Sequence, residues 1–263
     1  MSTVEVGTWN VRNGVPAPVA RAAIAGVWDA HPGLDVLALQ EMRGRRLEPY
    51  DGVGCYHPNG SEGEDDNALM WATDRFELLD AYALLLSDAG WRTVRGGTAP
   101  RRVAPVVLLR DVRDDRRHAF ASVHLPPSLE TPDGINREAR TRLAVAGGSL
   151  RRLRNHVDGL CLLGFEVHVG GDWNVNALAD DGEHDAWPEA ALGELLTSAW
   201  RTCGTGDSPA TFGGAARMID DWRTTARIES VRALDNGPSD HRLVVARIAV
   251  GPASPSPEDG VRL

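Results

Sequence analysis

Phe165-Glu166-Val167-His168-Val169-Gly170-Gly171-Asp172-Trp173-Asn174 is the stretch on which the fold turns. Phe165 to Val169 has the length and composition of a buried strand. Beyond Gly170-Gly171 the chain presents two oxygen-bearing side chains, Asp172 and Asn174. An Asp or Asn after a strand is most often a turn former or a helix cap, and two glycines can simply make a tight turn. The stretch therefore gains meaning only if other strands stop in the same way.

Outward from it, they do. Val4 to Trp9 alternates and meets Asn10, and Asp35 to Leu39 runs into Gln40-Glu41. Phe120 to Val123 closes on His124, Met218-Ile219 precede Asp220, and Asp240-His241 open a last strand, Leu243 to Val250. Strand ends on one side of a sheet converge in space, and sites are commonly built there. Carboxylates and amides, with few imidazoles and no cysteine, suit Mg²⁺, Mn²⁺ or Ca²⁺ better than a structural zinc site.

The segments between these strands are legible too. Ala17 to Ala30 reads as a helix with Ala20, Ile24, Val27 and Trp28 on one face. Val103 to Leu109 and Ala119 to Val123 flank the charged turn Asp111 to Arg117, the pattern of an antiparallel hairpin. Ile135, Ala139, Leu143, Ala146, Leu150, Leu153 and Val157 form one helical stripe, which Gly147-Gly148 is expected to weaken. Arg137, Arg140, Arg142, Arg151, Arg152 and Arg154 fall largely on the other faces. Hairpins and crossovers together predict an α/β sandwich over a simple parallel sheet.

Composition sets the outer bounds. A chain of 263 residues with 42% hydrophobic and 25% charged residues can bury one large core. No run approaches the ~20 apolar residues of a membrane span, and the start MSTVEVGTWNV carries no visible secretory signal. Cys55, Cys161 and Cys203 lie too far apart for a disulfide framework or a zinc cluster, which points to a cytoplasmic setting. A net charge of −9, with arginine supplying every one of the 28 basic residues, opposes long-range attraction to nucleic acid. That weighs against a processive duplex binder more than against an enzyme acting on small phosphate esters. Residues 1–250 read as one catalytic domain, expected to be a monomer without a membrane partner. The Pro- and Ser-rich tail, 251–263, reads as disordered.

The strand-end motifs also occur in a familiar order. Thr8-Trp9-Asn10-Val11-Arg12, Leu39-Gln40-Glu41, Ser122-Val123-His124-Leu125, Gly171-Asp172-Trp173-Asn174, Ile219-Asp220 and Ser239-Asp240-His241 resemble the successive motifs of the endonuclease/exonuclease/phosphatase (DNase I-like) superfamily. The match runs from Thr8 to about Ile248. It implies a four-layer α/β/β/α sandwich, two packed and mainly antiparallel sheets flanked by helices, with the site at one end. It further implies Glu41 as a direct metal ligand with Asn10 close by, and Asp240 in the metal shell directly or through water. Asp172 would position or deprotonate the attacking water, and Asn174 would hold that water or a phosphate oxygen. His241, oriented by Asp220, would contact the phosphate or act as base. His124 would donate to a non-bridging oxygen or the leaving group. Which of Asp172 and His241 takes the proton, and whether one metal or two is used, stays open at this level.

Two departures narrow the resemblance. Asp221 and then Trp222 follow Asp220 where the family carries an aromatic residue, so Asp220 and Asp221 compete as the support of His241, with Asp220 preferred. His124-Leu125-Pro126-Pro127 stand where the abasic-site branch has a tyrosine motif, so abasic-site repair is not the first expectation. Arg43 stands where it could meet a substrate phosphate, and Arg95, Arg101, Arg102 and the helix arginines could line a phosphate-binding surface. The loops 59–67 and 205–216 are expected to set specificity.

The resulting expectation is a divalent-metal-dependent phosphoesterase using Mg²⁺, with Mn²⁺ or Ca²⁺ as alternatives. Its first-choice substrate is a phosphodiester of DNA, RNA or a nucleotide, cleaved by in-line attack of an activated water. A phosphomonoesterase or small-molecule phosphodiesterase (nucleotide, inositol phosphate or lipid headgroup) is the second reading. A catalytically silent binding module of the same fold is the third.

Overall fold

The computed structural model describes residues 2–47, 50–58, 66–90, 101–131, 134–136, 138–179, 184, 186–212 and 217–251. In chain order the elements are β1 (Thr3–Asn10), α1 (Ala17–Ala30), β2 (Val36–Gln40), β3 (Val53–Tyr56), β4 (Ala68–Ala72), β5 (Phe76–Ser87) and β6 (Arg102–Asp111). They continue as β7 (Arg117–His124), β8 (Glu130–Thr131), β9 (Gly134–Ile135), α2 (Arg140–Leu162), β10 (Glu166–Asp172), α3 (Pro188–Leu192) and β11 (Thr197–Ser198). The last are α4 (Ala199–Cys203), β12 (Asp220–Thr224), β13 (Arg227–Leu234) and β14 (Leu243–Ala249).

Two six-stranded sheets result, ordered β13-β14-β1-β2-β4-β3 and β11-β12-β10-β7-β6-β5. Each has one parallel pair at its centre, β1 with β2 and β7 with β10, and its other pairs are antiparallel. A parallel pair needs a crossover, and a helix supplies it in each case: α1 between β1 and β2, α2 between β7 and β10.

Alternation along the strands then builds the layers. Val4, Val6, Val36, Ala38, Phe120, Trp222 and Ala246 meet between the sheets. Trp9, Leu37, Leu39 and Val245 point the other way, onto Ala20, Ile24 and Val27 of α1. Ala119, Ala121, Val123, Val167 and Val169 likewise leave the interior for Leu143, Leu150, Leu153 and Val157 of α2. The expected four-layer α/β/β/α sandwich is the observed architecture.

One element departs from its sequence pattern. The stripe from Ile135 predicts a helix start there, yet α2 begins at Arg140, because Ile135 pairs with Glu130 in the two-stranded β8–β9 ribbon. Ile135 still packs on the α2 core, so the apolar periodicity reports its burial and not its backbone. The helix runs unbroken through Gly147-Gly148. Gly170-Gly171 form no turn; both lie inside β10. A Cβ on Gly171 would stand 2.1 Å from the Val123 carbonyl oxygen, and one on Gly170 would stand 2.6 Å from the Trp222 ring. Bare backbone at both positions lets β7 and β12 close on β10. The tail beyond Gly251, Arg95, Arg137 and parts of the loops 59–67 and 205–216 lie outside the described residues.

Candidate active site

The inner faces of the strands turn polar toward one end of the sandwich. On β1, Thr8 and Asn10 follow Val4 and Val6; on β2, Gln40 follows Val36 and Ala38; on β7, Ser122 and His124 follow Phe120. Gln40 stitches the sheets together below the site: its Nε2 donates to Ser122 Oγ (2.9 Å) and to Thr8 Oγ1 (3.1 Å), while Ser122 donates to the Leu39 carbonyl (3.0 Å). Every member is buried and paired, so this network fixes the depth at which the next residues outward sit.

Register assembles those next residues. Asp172 lies opposite His124 across the parallel β10–β7 pair and opposite Asp220 across the antiparallel β10–β12 pair. Asp220 thus opens its strand where the others close theirs, yet reaches the same end of the sheet. His241 precedes β14; the Trp9 indole donates to its carbonyl at 3.1 Å, and Ser239 Oγ, which donates to the Asn10 carbonyl (2.6 Å), accepts from the His241 amide (3.1 Å).

Two histidines converge on one carboxylate. The Nε2 atoms of His124 and His241 lie 3.6 Å and 3.9 Å from Asp172 Oδ2. Each ring is held from behind: His124 Nδ1 is 2.8 Å from Asp66 Oδ2, and His241 Nδ1 is 2.9 Å from Asp220 Oδ2. Asp220, and not Asp221, is the partner of His241. Asp221 turns instead to the Ala199 and Trp200 amides at the start of α4 (3.2 and 3.4 Å).

The pairs set the charge. Burial works against a charged His241, but the Asp220 and Asp172 carboxylates outweigh it and push the ring up to about 9. Burial likewise opposes charge on His124, and Asp66 followed by Asp172 reverse the direction to a raised value. Asp66 is lowered, burial raising it less than His124, Arg102 and Arg43 together lower it. The carboxylates therefore favour the charged, donor form of both rings, which aim at the same point.

The remaining expected residues fall around this centre. Asn10 Nδ2 donates to Asp172 Oδ2 (3.0 Å) and to Glu41 Oε1 (3.1 Å), while its Oδ1 accepts from the Arg12 amide (2.9 Å). Glu41 Oε2 accepts from the Asn13 amide at 2.5 Å. Asn174 donates its backbone N–H to Asp172 Oδ1 (2.9 Å) and its side-chain amide to the Leu125 carbonyl (3.0 Å). Asp240 is exposed and lies 3.6 Å from Arg12 Nε. Arg43 is exposed, and its charge reaches Asp66.

Backbone strain gathers here. Arg12 (φ 59°), Glu41 (φ 58°) and Asn174 (φ 53°) all adopt the left-handed region directly beyond the strands that carry them. Such conformations cost about 1–3 kcal/mol for most residues and persist where surrounding contacts over-determine them.

A divalent cation fits the donor set. Glu41 and Asp172 each place a hard carboxylate oxygen against the Asn10 side-chain nitrogen. In this rotamer Asn10 faces the carboxylates with its nitrogen, so it braces Glu41 and offers no oxygen of its own. Asp172, Asp220 and His241 also lie close enough to share an ion, but the Asp220–His241 hydrogen bond already occupies those atoms.

Sequence reading missed three participants. Asp66 lies in the acidic stretch Glu62 to Asp66, where nothing singles it out. Arg102 was expected on a binding surface; its Nη1 in fact donates to the His124 carbonyl (2.7 Å). Thr211 Oγ1 accepts from the Asp220 amide (3.2 Å). Of the helix arginines, Arg152 and Arg154 are tied to Asp88 and Glu194.

The strand order, the central parallel pairs and the polar end of the sandwich define the DNase I-like fold of endonuclease/exonuclease/phosphatase proteins. The chain matches no family model, and no curated protein matches it in sequence; the likeness is one of structure. An endonuclease/exonuclease/phosphatase family protein from Bacteroides thetaiotaomicron superposes with a TM-score of 0.69 at 15% identity, over 94% of this chain and 97% of the other. A mannosyl-6-phosphatase from the same organism gives 0.69 at 17% identity, over 94% and 100%. D. rerio TDP2 complexed with a single-strand DNA product gives 0.63 at 14% identity, over 95% and 100%.

Proposed function

We propose that residues 1–250 form the catalytic domain of a divalent-metal-dependent phosphodiesterase that hydrolyses nucleic-acid or nucleotide phosphodiesters. The observation that carries this reading is the convergence of two carboxylate-backed histidines, His124 and His241, on Asp172. A phosphodiester is anionic and repels a nucleophile, so catalysis requires positive donors around the phosphoryl oxygens and an acceptor for the proton of the attacking water. Two imidazolium groups supply the donors.

Because Asp220 keeps His241 protonated, that ring is a poor proton acceptor at neutral pH. Asp172 is the carboxylate between the two rings, and we assign to it the orientation and deprotonation of the water. Asn174 buttresses Asp172 through its backbone amide, and Asn10 does so from the opposite side. His241 donates to a non-bridging oxygen. His124 donates to a second oxygen or to the leaving group. Glu41 would hold Mg²⁺, with Mn²⁺ or Ca²⁺ as substitutes, and Asp240 would complete the acidic shell; the ion supplies Lewis-acid neutralisation of phosphoryl charge. Arg43, exposed beside Asp66, would meet a substrate phosphate.

A phosphomonoester substrate is the second reading, supported by the net charge of −9 and by the likeness to a mannosyl-6-phosphatase. The likeness to TDP2 with its DNA product supports the first. One panel separates them: single- and double-stranded DNA and RNA, nucleotide diesters, and sugar, nucleotide and inositol monoesters, each with Mg²⁺ and Mn²⁺. Turnover of monoesters alone would replace the first reading with the second. Turnover of none would leave a binding module. No described helix is long and apolar enough to cross a membrane, and we place the chain in the cytoplasm, where its three free cysteines would stay reduced.

A further inference from the structure

The far end of the inter-sheet layer holds a second polar cluster. His118 on β7 and Glu166 on β10 are register partners, and His168 lies two residues along β10 on the same inner face. His118 is six residues from His124 along one strand, about 20 Å at ~3.3 Å per residue. This cluster is therefore separate from the active site and plays no part in the proposed reaction.

Three lone-pair donors converge there. His118 Nδ1 lies 3.1 Å from His168 Nε2 and 3.7 Å from Glu166 Oε2. Ligand atoms around a tetrahedral Zn²⁺, at about 2.0–2.1 Å from the metal, stand about 3.3 Å from one another. Both imidazoles are fully buried, and Glu166 Oε2 is buried with no hydrogen-bond partner, although Arg116 Nη1 lies 3.5 Å from the other oxygen. Thr224 Oγ1 sits 2.8 Å from His168 Nδ1, which fixes that ring with Nε2 facing the cluster. Burial depresses both histidines, His118 to about 4, so both are neutral at pH 7, the form a metal requires. An orphaned carboxylate oxygen and two neutral imidazoles meet where one shared N–H···N contact joins the atoms that face the cluster.

We propose that His118, His168 and Glu166 form a binding site for a zinc-class divalent transition metal that pins β7 to β10 at the end of the sandwich opposite the active site. Two imidazoles and one carboxylate select Zn²⁺ or Co²⁺ over Mg²⁺, so this site and the acidic one differ in metal class. The half-buried flank of Glu166 gives the ion a route in from solvent and leaves a fourth position to water.

The test uses the full chain, stripped with chelator and held in excess Mg²⁺, in the parent and in Glu41→Ala, which removes the acidic site's ligand. Each is titrated with Zn²⁺ by calorimetry and with Co²⁺ by visible absorption. One equivalent of Zn²⁺ should bind in both chains, and Co²⁺ should give the intense bands of a four-coordinate site. Glu166→Gln and His168→Gln should each weaken Zn²⁺ on the order of 100-fold. Glu166→Gln should leave the Mg²⁺-dependent rate unchanged. The proposal is overturned if the parent binds no Zn²⁺ in excess Mg²⁺, if Glu41→Ala abolishes binding, or if folded Glu166→Gln binds Zn²⁺ like the parent. Glu166→Gln is isosteric at the end of a strand, and the Co²⁺ spectrum of Glu41→Ala needs no variant at the cluster, so unfolding of His168→Gln would not spare the proposal. The titration stands whether or not any phosphate ester is hydrolysed.

Discussion

Asp220 holds His241 Nδ1 at 2.9 Å from the first residue of a strand that places Asp220 directly opposite Asp172. One row across three strands, His124, Asp172 and Asp220, therefore presents an imidazole, a carboxylate and the carboxylate behind a second imidazole at a single level of the sandwich.

The charge of His241 yields the first prediction. Its folded value is raised to about 9, so the cation persists through neutral pH and is lost as pH rises through about 9. The stability it contributes is fully present below the unfolded value of about 6.5 and disappears across the same rise. Turnover should fall with an alkaline limb near 9. In Asp220→Asn, burial is opposed by Asp172 and Asp240 without the hydrogen-bonded carboxylate, so the limb should move to lower pH and kcat at pH 7.5 should drop on the order of 10²-fold or more. A pH–rate profile of both chains measures this; an unmoved limb would remove His241 as the titrating group.

Asp66 should behave as the counterpart of Asp220. Asp66→Asn removes the carboxylate that, ahead of Asp172, offsets the burial of His124. We expect a loss in kcat of about 10–10³-fold with KM changing far less, and a loss in His124→Gln at least as large. Steady-state kinetics on the substrate identified by the panel would decide, and a pure KM effect would reassign Asp66 to substrate binding.

Metal removal gives the third. Chelator should abolish hydrolysis, and Mg²⁺ or Mn²⁺ should restore it. Glu41→Gln should raise the Mg²⁺ needed for half-maximal rate at least about tenfold, because it takes the charge from the carboxylate expected to bind the metal directly. A metal titration of the rate checks this.

Gly171→Ala tests the close approach of β10 and β7. The added methyl would stand 2.1 Å from the Val123 carbonyl oxygen, so the strands must part. Denaturant melts should show a loss of about 1–3 kcal/mol or more. Activity should fall beyond what the unfolded fraction explains, because the same strands carry His124 and Asp172 one residue further on.

His118 and His168 predict acid sensitivity in the chelated protein. Both are depressed by burial, so the unfolded chain takes up protons first. Their contribution is complete above about 6.5 and is lost as pH falls toward 4, about 3 kcal/mol for His118 alone. Urea midpoints measured from pH 7 to 4 should fall accordingly, and a flat profile would contradict the buried neutral pair.

The sequence by itself determined the α/β sandwich and the residues that cap its strands. Asn10, Glu41, His124 and Asp172 were each legible because an apolar run of strand length stops at a polar residue, and His241 because it opens such a run. Tertiary structure alone decided who supports whom. Asp66 is 58 residues from His124, and only its placement beside the end of β7 pairs the two. Asp220 and Asp221 are adjacent and equally acidic, and register sends one to His241 and the other to α4. His118, Glu166 and His168 lie on strands separated by a long helix and carry no motif, so their meeting is a property of the parallel β7–β10 pair. Even the start of α2 escaped its periodicity, because Ile135 reaches the same core from a strand. Local pattern encodes burial and strand ends; pair identity depends on register and loop closure, which join residues the chain keeps far apart.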